Sequence, residues 1–481
     1  MPGRAQPFAL TARETEVGRL LSGGLTNREA AARLFGTPAS GGFHLGSIHG
    51  RLGVRARHEP RRWWADHREG RTRGARPGAR NARWRRAGNR PRTPAPRTAA
   101  PHRRGSDAAP ATPCMSRPYL LKWSPMPQTR RADGPADRVG RRPLPAPRTP
   151  SPRDAPPLHW GVIAPGGIAA SFVGALRAHT EQRVVAVGSR DAGRSRAFAD
   201  RFGIPAAYGS YAEVLDDVRV DIVYIASPHS EHCAQALQAI EAGKHVLVEK
   251  SFTRNAREAE QLIRAARDQG VFCMEAMWMR FLPHIDIVRQ VLDLGLLGEV
   301  RTMTADHGQC MDPATAHRLF APELAGGALL DLGVYPVSFA SMVLGPFATL
   351  TTVGDTTPTG VDAQASVVVT NDAGAHGVLH TTLHVRTPTT ASISGTRARL
   401  EIEGAFYAPA TVRLIGRSNE LLGYHVPAQR EGGLCFEAAE AARCVAAGRL
   451  ESDLMPLDET LRVMRALDRI RADLGVTFPG E

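Results

Sequence analysis

The hydrophobic pattern of the chain changes near residue 158. From there, short apolar runs alternate with stretches in which apolar residues recur at helical spacing. Short apolar runs between turn residues are typical of buried parallel strands, and their alternation with helices predicts a doubly wound α/β sheet. The predicted strands span residues 158–164, 183–188, 221–226, 245–249 and 271–275, with helices beginning near Ala170 and spanning 234–242.

Beyond Pro336, apolar and polar residues alternate with period two, and glycine or proline separates the runs. This pattern predicts a large, mostly antiparallel open sheet with one covered face. Its strands are expected at 348–353, 365–370, 376–385, 391–394, 400–403 and 412–415, followed by helices at 436–447 and 457–474. We expect the last helix to pack near the first sheet. The expected fold class is α/β: a Rossmann-type doubly wound parallel sheet followed by an α+β domain.

The first third of the chain has a different composition. Residues 1–157 carry a net charge of +22, whereas residues 158–481 carry −8. Frequent proline and like charges leave too little apolar surface to fold, so 59–157 is predicted to be a disordered Arg/Pro-rich basic linker. We therefore expect four parts: a small helical segment (1–58), this linker, a dinucleotide-binding domain (158–276), and a substrate-binding and oligomerisation domain (277–481).

The small helical segment contains a capping box at Thr11 and Glu14, and the Gly23-Gly24 pair closes its first helix. Residues 10–57 resemble the helix-turn-helix of LuxR-type regulators, with Leu10-Thr11-x-Arg13-Glu14 and Leu25-Thr26-Asn27-Arg28-Glu29 as the matching runs. Gly41 and Gly42 fall where that family has its DNA-recognition helix, and glycine disfavours a helix interior. The segment is therefore interpreted as degenerate, which argues against DNA binding.

Six cysteines are scattered along the chain without metal-type spacing, which indicates reduced thiols in a cytoplasm and no metal site. The sequence shows neither an export signal nor an apolar run of about 18 residues, so no membrane partner is expected.

A glycine turn follows the first predicted strand of the second part. The strand ends at Ala164, and Pro165-Gly166-Gly167-Ile168 then lead into a helix. A strand, a glycine turn and a helix N-terminus together hold a pyrophosphate on backbone N–H groups. The fingerprint departs from G-x-G-x-x-A because alanine stands at 164. The turn predicts a dinucleotide site.

The next strand ends 22 residues beyond Gly166, where such a fold places the residue that contacts the adenosine ribose. NAD sites have an acid there, whereas this chain has Ser189 and Arg190, with Arg194 one helical turn further on. A hydroxyl and a guanidinium suit a 2′-phosphate, so the pattern favours NADP. Asp191 lies beside this trio and leaves NAD open.

Lys250 directly follows the strand 245–249. Of the 61 basic residues in the chain, only Lys122, Lys244 and Lys250 are lysines. A lysine can be desolvated and can exchange protons, which arginine does not. Lys250, the glycine turn and Ser227-Pro228 all follow the carboxyl ends of strands, where α/β sheets bind ligands. We therefore expect them to share one crevice.

Residues 158–481 resemble the Gfo/Idh/MocA oxidoreductases, and most closely the branch of dimeric dihydrodiol dehydrogenases. The matching motifs are Glu249-Lys250, Glu275 to Phe281, Gly326 to Pro336, and Phe478 to Glu481. Ser251 departs from the family, which has proline in its Glu-Lys-Pro triplet. The resemblance implies an enzyme that transfers hydride between a nicotinamide cofactor and a secondary alcohol or carbonyl of a sugar, polyol or dihydrodiol.

The resemblance also implies roles for individual residues. Tyr335 and Lys250 would exchange the proton at the substrate oxygen, with Lys250 lowering the pKa of the phenol, and Asp331 would orient Lys250 or the substrate. Trp278 and Arg280 would wall the nicotinamide and substrate pocket. Glu249, His229 and His232 would contact the cofactor, and His317 and Arg318, on the way to the Gly326-Gly327 turn, would border the substrate.

The expected partners are a small-molecule substrate and a second copy of the chain, in a homodimer or homotetramer assembled through the large sheet. An alternative function is a dinucleotide-sensing transcriptional regulator that uses the N-terminal segment. The set of Lys250, Asp331 and Tyr335 favours the enzyme, and Gly41-Gly42 disfavours the regulator.

Overall fold

The computed structural model describes residues 144–314 and 316–481. The predicted helix-turn-helix, its DNA binding and the linker up to residue 143 lie outside the described residues.

The first sheet of the described part has six parallel strands in the order β3-β2-β1-β4-β5-β6. The strands are β1 (His159–Ile163), β2 (Arg183–Gly188), β3 (Ala206–Tyr208), β4 (Ile222–Ile225), β5 (His245–Glu249) and β6 (Cys273–Ala276). The strand order reverses beside β1, between β1 and β4. In open α/β sheets this reversal opens a crevice at the carboxyl ends of the strands. Every strand end that the sequence predicts to bind ligand faces that crevice.

A helix follows each of these strands and buries an apolar face. The helices are α1 (Gly167–His179), α2 (Ala192–Phe202), α3 (Tyr211–Asp216), α4 (His229–Glu241), α5 (Ala256–Gln269) and α6 (Pro283–Asp293). Their boundaries follow local chemistry: Asp191 caps α2, Asn255 caps α5, and α2 and α5 end at Gly203 and Gly270 in the left-handed conformation. The fully buried ring of Tyr224 on β4 stacks on Phe172 of α1, with ring centroids 3.8 Å apart.

The second sheet of the described part has eight strands in the order β14-β13-β12-β11-β7-β10-β9-β8, and all neighbours are antiparallel except β7 and β10. They are β7 (Val300–Gly308), β8 (Thr349–Thr356), β9 (Asp362–Thr370), β10 (His376–Thr382), β11 (Ala391–Gly395), β12 (Ala398–Ile402), β13 (Val412–Gly416) and β14 (Leu421–His425). The predicted mixed fold class is confirmed.

Three further helices cover one face of the large sheet or join it to the first: α7 (Val334–Leu344), α8 (Cys435–Ala446) and α9 (Leu457–Leu474). A hydrogen bond of 2.8 Å from the backbone N–H of Ala256 to Asp468 joins α5 to α9, so the predicted packing of α9 near the first sheet is confirmed. The stretch Pro322–Leu344 is long and apolar enough to cross a membrane, but 89% of its most apolar window is buried, as in the core of a soluble protein.

The last residues of the predicted linker are folded. Pro152 is buried in a short 3-10 turn, Pro152–Asp154. Arg148 forms an ion pair of 2.9 Å with Asp286 on α6, and Arg443 on α8 donates to the carbonyl of Ser151. The prediction of disorder was therefore wrong for 144–157, because these residues find a carboxylate and a guanidinium as partners on the helices rather than in their own sequence.

Candidate active site

A cavity of about 800 Å³ lies at the carboxyl ends of the parallel strands. It reaches from the glycine turn after β1, past the ends of β2, β4 and β5, to residues of the second sheet. Thirteen of the predicted site residues line it: Pro165, Gly166, Gly167, Ile168, Ser189, Arg190, Arg194, Ser227, Pro228, Glu249, Lys250, Asp331 and Tyr335. The elements that the sequence places at separate strand ends therefore meet in one site.

The glycine turn leaves the N-terminus of α1 open toward the cavity. The N-cap residue Gly166 provides no side-chain cap, and an added Cβ on Gly167 would meet nothing within 4 Å. The first N–H groups of the helix are thus available to an anion. Ser227 lines the same cavity, and its hydroxyl is buried without a partner in the described residues. This arrangement fits the pyrophosphate of a dinucleotide.

Ala164 stands where the dinucleotide fingerprint has its first glycine, and its backbone adopts a conformation typical of glycine. Its φ is 63°, in the left-handed region that glycine adopts more readily than alanine. The turn therefore keeps the backbone course that glycine would give, and alanine carries the conformational cost.

The end of β2 carries the groups expected at the adenosine ribose. Ser189 is buried and its hydroxyl accepts the N–H of Asp191 at 3.2 Å, whereas Arg190 and Arg194 are exposed and pair with no acid in the described residues. The carboxylate of Asp191 is engaged by the N–H groups of Gly193 and Arg194, at 2.9 and 3.2 Å. The guanidiniums of Arg190 and Arg194 have no acidic partner, and the carboxylate of Asp191 is already hydrogen-bonded to the backbone. This arrangement fits a 2′-phosphate better than a free ribose hydroxyl.

Lys250 is held by Asp331 across the cleft between the two sheets. Its Nζ donates to the backbone carbonyl of Asp331 at 2.7 Å and lies 3.3 Å from the carboxylate, which Arg318 also contacts at 2.7 Å. Burial opposes ionisation of Asp331, but the charges of Lys250 and Arg318 outweigh it and hold the pKa of Asp331 well below its usual range. Asp331 is thus a permanent carboxylate that positions the lysine.

Tyr335 lies beside this pair. The ammonium of Lys250 is 5.3 Å from the centroid of the Tyr335 ring, and Trp278 donates its Nε1–H to the phenol oxygen at 2.9 Å. Burial, reinforced by Glu249, raises the pKa of Tyr335 well above its usual value, so the phenol stays protonated. The expectation that Lys250 lowers this pKa was therefore wrong: burial dominates, and the hydroxyl is a proton donor.

Aromatic and polar residues of the second domain, at the end of β7 and in the loop after β12, complete the wall, and sequence reasoning missed them. Tyr407 stacks on Tyr335 with centroids 4.4 Å apart and 27° between the planes, and His307 lies 4.4 Å from Tyr407. Burial and the charge of Lys250 lower the pKa of His307 to about 4, so the ring is neutral, and Gln309 lies 3.0 Å from its Nε2. The sequence pattern gave little indication of these residues, because His307 and Gln309 lie at a polar strand end and Tyr407 lies in a loop.

Ser251 replaces the proline of the family triplet without freeing the backbone after Lys250. Its hydroxyl donates to the carbonyl of Leu330 at 2.9 Å, and its own carbonyl contacts Nδ1 of His232 at 2.9 Å. The two bonds tie this backbone to α4 and to the turn that carries Asp331. They restrain the backbone at the position where the family has proline.

Three predicted contact residues do not line the cavity. Trp278 lies behind Tyr335 and acts through its hydrogen bond to the phenol. Arg280 is 4% exposed, and its guanidinium is taken by Ser338 and Glu459. His232 is fully buried between the carbonyls of Ser227 and Ser251. Arg280 and His232 are corrected to structural supports, because buried partners already satisfy their side chains. His317 does not line the cavity either, whereas His229 and Arg318 do.

Comparisons with known proteins agree with this site. Residues 158–277 match the oxidoreductase family with an NAD-binding Rossmann fold, and residues 285–401 match the GFO/IDH/MocA C-terminal domain. The trans-1,2-dihydrobenzene-1,2-diol dehydrogenase of Mus musculus is 37% identical over 330 residues, which cover 67% of this chain and 98% of the mouse protein. The Homo sapiens enzyme of the same name is 35% identical over 330 residues, with the same coverage.

Solved structures give the same result. KijD10, a 3-ketoreductase from Actinomadura kijaniata in complex with TDP-benzene and NADP, is 27% identical with a TM-score of 0.58 and covers 66% of this chain and 98% of its own. The aldose-aldose oxidoreductase from Caulobacter crescentus is 25% identical with a TM-score of 0.60 and covers 66% of this chain and 97% of its own. This chain belongs to the Gfo/Idh/MocA family of oxidoreductases.

Proposed function

We propose that this protein is an NADP-dependent oxidoreductase that interconverts a secondary alcohol and the matching carbonyl on a diol, polyol or sugar. The observation that carries the proposal is the meeting of Lys250, Asp331 and Tyr335 in the cavity that begins at the open N-terminus of α1. The dihydrodiol and sugar enzymes among its relatives support this substrate class. We assign dinucleotide binding to 158–276 and substrate binding to 277–481.

The cofactor would lie along the carboxyl ends of β1, β2 and β4. The N–H groups at the start of α1 would hold its pyrophosphate, and Ser189, Arg190 and Arg194 would hold the 2′-phosphate. When bound, the nicotinamide supplies hydride transfer to or from the substrate carbon. The aromatic wall of Tyr407 and His307 would pack against the apolar face of the substrate ring.

Side chains of this protein would transfer the proton to the substrate oxygen and stabilise the charge on it. In the direction of reduction, the Tyr335 phenol donates a proton to the carbonyl oxygen as that oxygen becomes an alkoxide. The Lys250 ammonium, fixed by Asp331, stabilises the negative charge on the same oxygen. The Trp278 N–H and Lys250 then stabilise the phenolate until it is reprotonated.

Replacing Arg190 with alanine is expected to weaken NADP binding on the order of 10- to 100-fold, because a charge-assisted contact to the 2′-phosphate contributes about 1.5–3 kcal/mol. NAD lacks that phosphate, so its affinity should change little. Titration calorimetry with both nucleotides measures the difference. Arg196→Ala, an exposed change on α2, the helix that follows Arg190, should leave both affinities unchanged. Equal weakening of NADP and NAD by Arg190→Ala would refute the 2′-phosphate assignment.

The substrate is tested by a panel of sugars, polyols and diols with NADP and with NAD, followed at the absorbance of reduced nicotinamide. We expect turnover with a subset of vicinal diols or sugars, and faster turnover with NADP. Failure of every compound in both directions would count against the proposed function.

We infer that the chain forms a two-fold oligomer through the outer face of the large sheet. Val353, Val368 and Val378 are 73%, 45% and 46% exposed on that face, and Val368 pairs with Val378 across β9 and β10. Exposed apolar residues on the open face of a sheet are typical of subunit interfaces. We also place the protein in the cytoplasm, which the free cysteines of the described residues support.

The substitution Val378→Asp is expected to convert this oligomer to a monomer, because a charge would have to be buried at the interface. Light scattering after size-exclusion chromatography measures the mass. Val218→Asp is the control, because Val218 is 92% exposed and lies away from the large sheet. A wild-type monomer, or an oligomer that survives Val378→Asp, would contradict this interface.

A further inference from the structure

Gln309 lines the cavity from the second domain, and the mechanism above gives it no role. It directly follows Gly308, the last residue of β7, and its backbone N–H donates to the carbonyl of Thr382 at 3.0 Å. The main chain is therefore held in place independently of the side chain. A carboxamide can present either its oxygen or its nitrogen to a substrate, and its neighbours decide which of the two faces the cavity.

His307 is the neighbour that decides. Its Nδ1 lies 3.2 Å from the carbonyl oxygen of Leu332. A carbonyl oxygen only accepts hydrogen bonds, so Nδ1 carries the ring proton. The ring is 1% exposed, and burial, together with the charge of Lys250, lowers the pKa of His307 to about 4. The ring is thus neutral at pH 7, and its Nε2 has a free lone pair.

The amide of Gln309 donates to that lone pair. Its side-chain nitrogen lies 3.0 Å from Nε2 of His307. The opposite orientation of the amide would place an oxygen against this lone pair with no proton between them. The carboxamide oxygen is therefore directed away from His307. No group in the part of the chain that the structure describes donates a hydrogen bond to this oxygen, and the oxygen is not sealed from the cavity.

The aromatic wall connects Gln309 to the reacting groups. The ring centroid of His307 lies 5.5 Å from that of Tyr335, and both rings lie against Tyr407 with centroid separations of 4.4 Å. A substrate that is held at the Tyr335 phenol and packed on this wall would extend toward the Gln309 amide. Its reacting oxygen meets Tyr335, so the group that meets Gln309 belongs to another part of the substrate.

The chemistry of the cavity indicates what that group is. An amide oxygen accepts hydrogen bonds and carries no charge, so it suits a hydroxyl. The carboxylate of Asp331, another acceptor that lines the cavity, is already engaged by Lys250 and Arg318, at 3.3 and 2.7 Å. The oxygen of Gln309 has no such partner.

We propose that Gln309 is a specificity-determining residue whose carboxamide oxygen accepts a hydrogen bond from a second hydroxyl of the substrate. The proposal rests on the proposed function, and it narrows the substrate to compounds with a hydroxyl besides the one that is oxidised. Diols and sugars meet this requirement, whereas simple secondary alcohols do not. A simple alcohol would displace water from the amide oxygen without replacing its hydrogen bond, and a loss of this kind discriminates strongly between substrates.

The test compares trans-cyclohexane-1,2-diol with cyclohexanol, which share a ring and a secondary alcohol and differ in the second hydroxyl. Oxidation by the full chain with NADP gives kcat/KM for each compound. We expect the wild type to prefer the diol by about tenfold or more. Gln309→Met keeps the length of the side chain and removes the acceptor, so this preference should fall by about 3- to 10-fold. The fall should arise from a higher KM for the diol, with cyclohexanol little changed. A wild type without the preference, or a preference unchanged in Gln309→Met, would overturn the proposal.

Two further variants separate the acceptor from the shape of the side chain. Gln309→Glu keeps an oxygen toward the cavity, while its other oxygen can pair with a protonated His307, so the preference for the diol should be retained. Gln238→Met makes the same change at an exposed position on α4 and should match the wild type. Loss of the preference in Gln309→Glu as well as in Gln309→Met would assign the side chain a purely structural role and overturn the proposal.

A second measurement needs no turnover. NADPH cannot accept hydride from an alcohol, so each compound binds the protein in the presence of NADPH without reacting. Titrations followed by saturation-transfer NMR give the two affinities. We expect the wild type to bind the diol more tightly than cyclohexanol and Gln309→Met to bind the two nearly alike. Equal affinities of the wild type for the two compounds would contradict the assignment of Gln309.

The kinetic and binding measurements also distinguish this proposal from the proposed function. If the wild type oxidises no compound of the panel, the proposed function fails, and the binding titrations still decide whether Gln309 selects for a second hydroxyl. If turnover is present and Gln309→Met keeps the wild-type preference in both measurements, the assignment of Gln309 fails and the proposed function stands.

Discussion

Replacing Lys250 with methionine is expected to lower kcat by a factor of about 10³ or more. Methionine keeps the length of the side chain and removes the ammonium that we propose to stabilise the substrate oxygen. It also leaves the carboxylate of Asp331 with Arg318 as its remaining cationic partner. NADP affinity should be largely kept, because in the proposed binding mode the phosphates would be held at α1 and at the end of β2. Steady-state kinetics with nucleotide titrations on the same preparation measures both quantities.

Lys244 is the matched control. Its Nζ donates to the carbonyls of Asp217 and Val220 at 3.0 and 2.9 Å, at the opposite end of β5 from Lys250. Lys244→Met removes the same charge from the same sheet and should leave kcat near the wild-type value. A wild-type rate in Lys250→Met would remove Lys250 from the mechanism.

The parallel sheet could be predicted because its strands are continuous apolar runs that end in recognisable turns. Burial on both faces makes such runs almost wholly apolar, as Ile222–Ile225 illustrates. The Leu457–Leu474 helix was predicted with its observed bounds, since its apolar residues follow one face closely. Local pattern and tertiary structure agree in these elements.

The central strand of the second sheet was missed. Val300–Gly308 lies between β10 and β11, yet five of its nine residues are threonine, arginine, aspartate or histidine. One of its faces is exposed and its final residues face the cavity, so its composition reflects neighbours that are far away in sequence. His307 was missed with it, for the same reason.

Sequence reasoning also could not predict the hydrogen-bond and ion-pair partners of individual side chains. Arg280 was expected in the pocket because it follows Trp278 in a recognisable motif. Glu459, 179 residues further along the chain, takes its guanidinium at 2.5 Å. The proton state of Tyr335 was unpredictable in the same way, because burial among Trp278, Tyr407 and Glu249 decides it. Motifs predicted most of the residues that line the cavity, and long-range packing decided which of the others do not.

Replacing Tyr335 with phenylalanine is expected to lower kcat for carbonyl reduction by about 10²–10⁴, the range that a positioned proton donor contributes. The ring, its stacking on Tyr407 and the fold should be kept, because the phenol oxygen bonds only to Trp278 among the described residues. Tyr407→Phe removes a hydroxyl from the same aromatic stack and should change kcat by less than about tenfold. Comparison of kcat, KM and melting temperature for both variants decides the assignment. If Tyr407→Phe lost activity and Tyr335→Phe kept it, Tyr407 would be the proton donor instead of Tyr335. If both variants kept their activity, Lys250 would be left as the sole proton donor at the substrate oxygen.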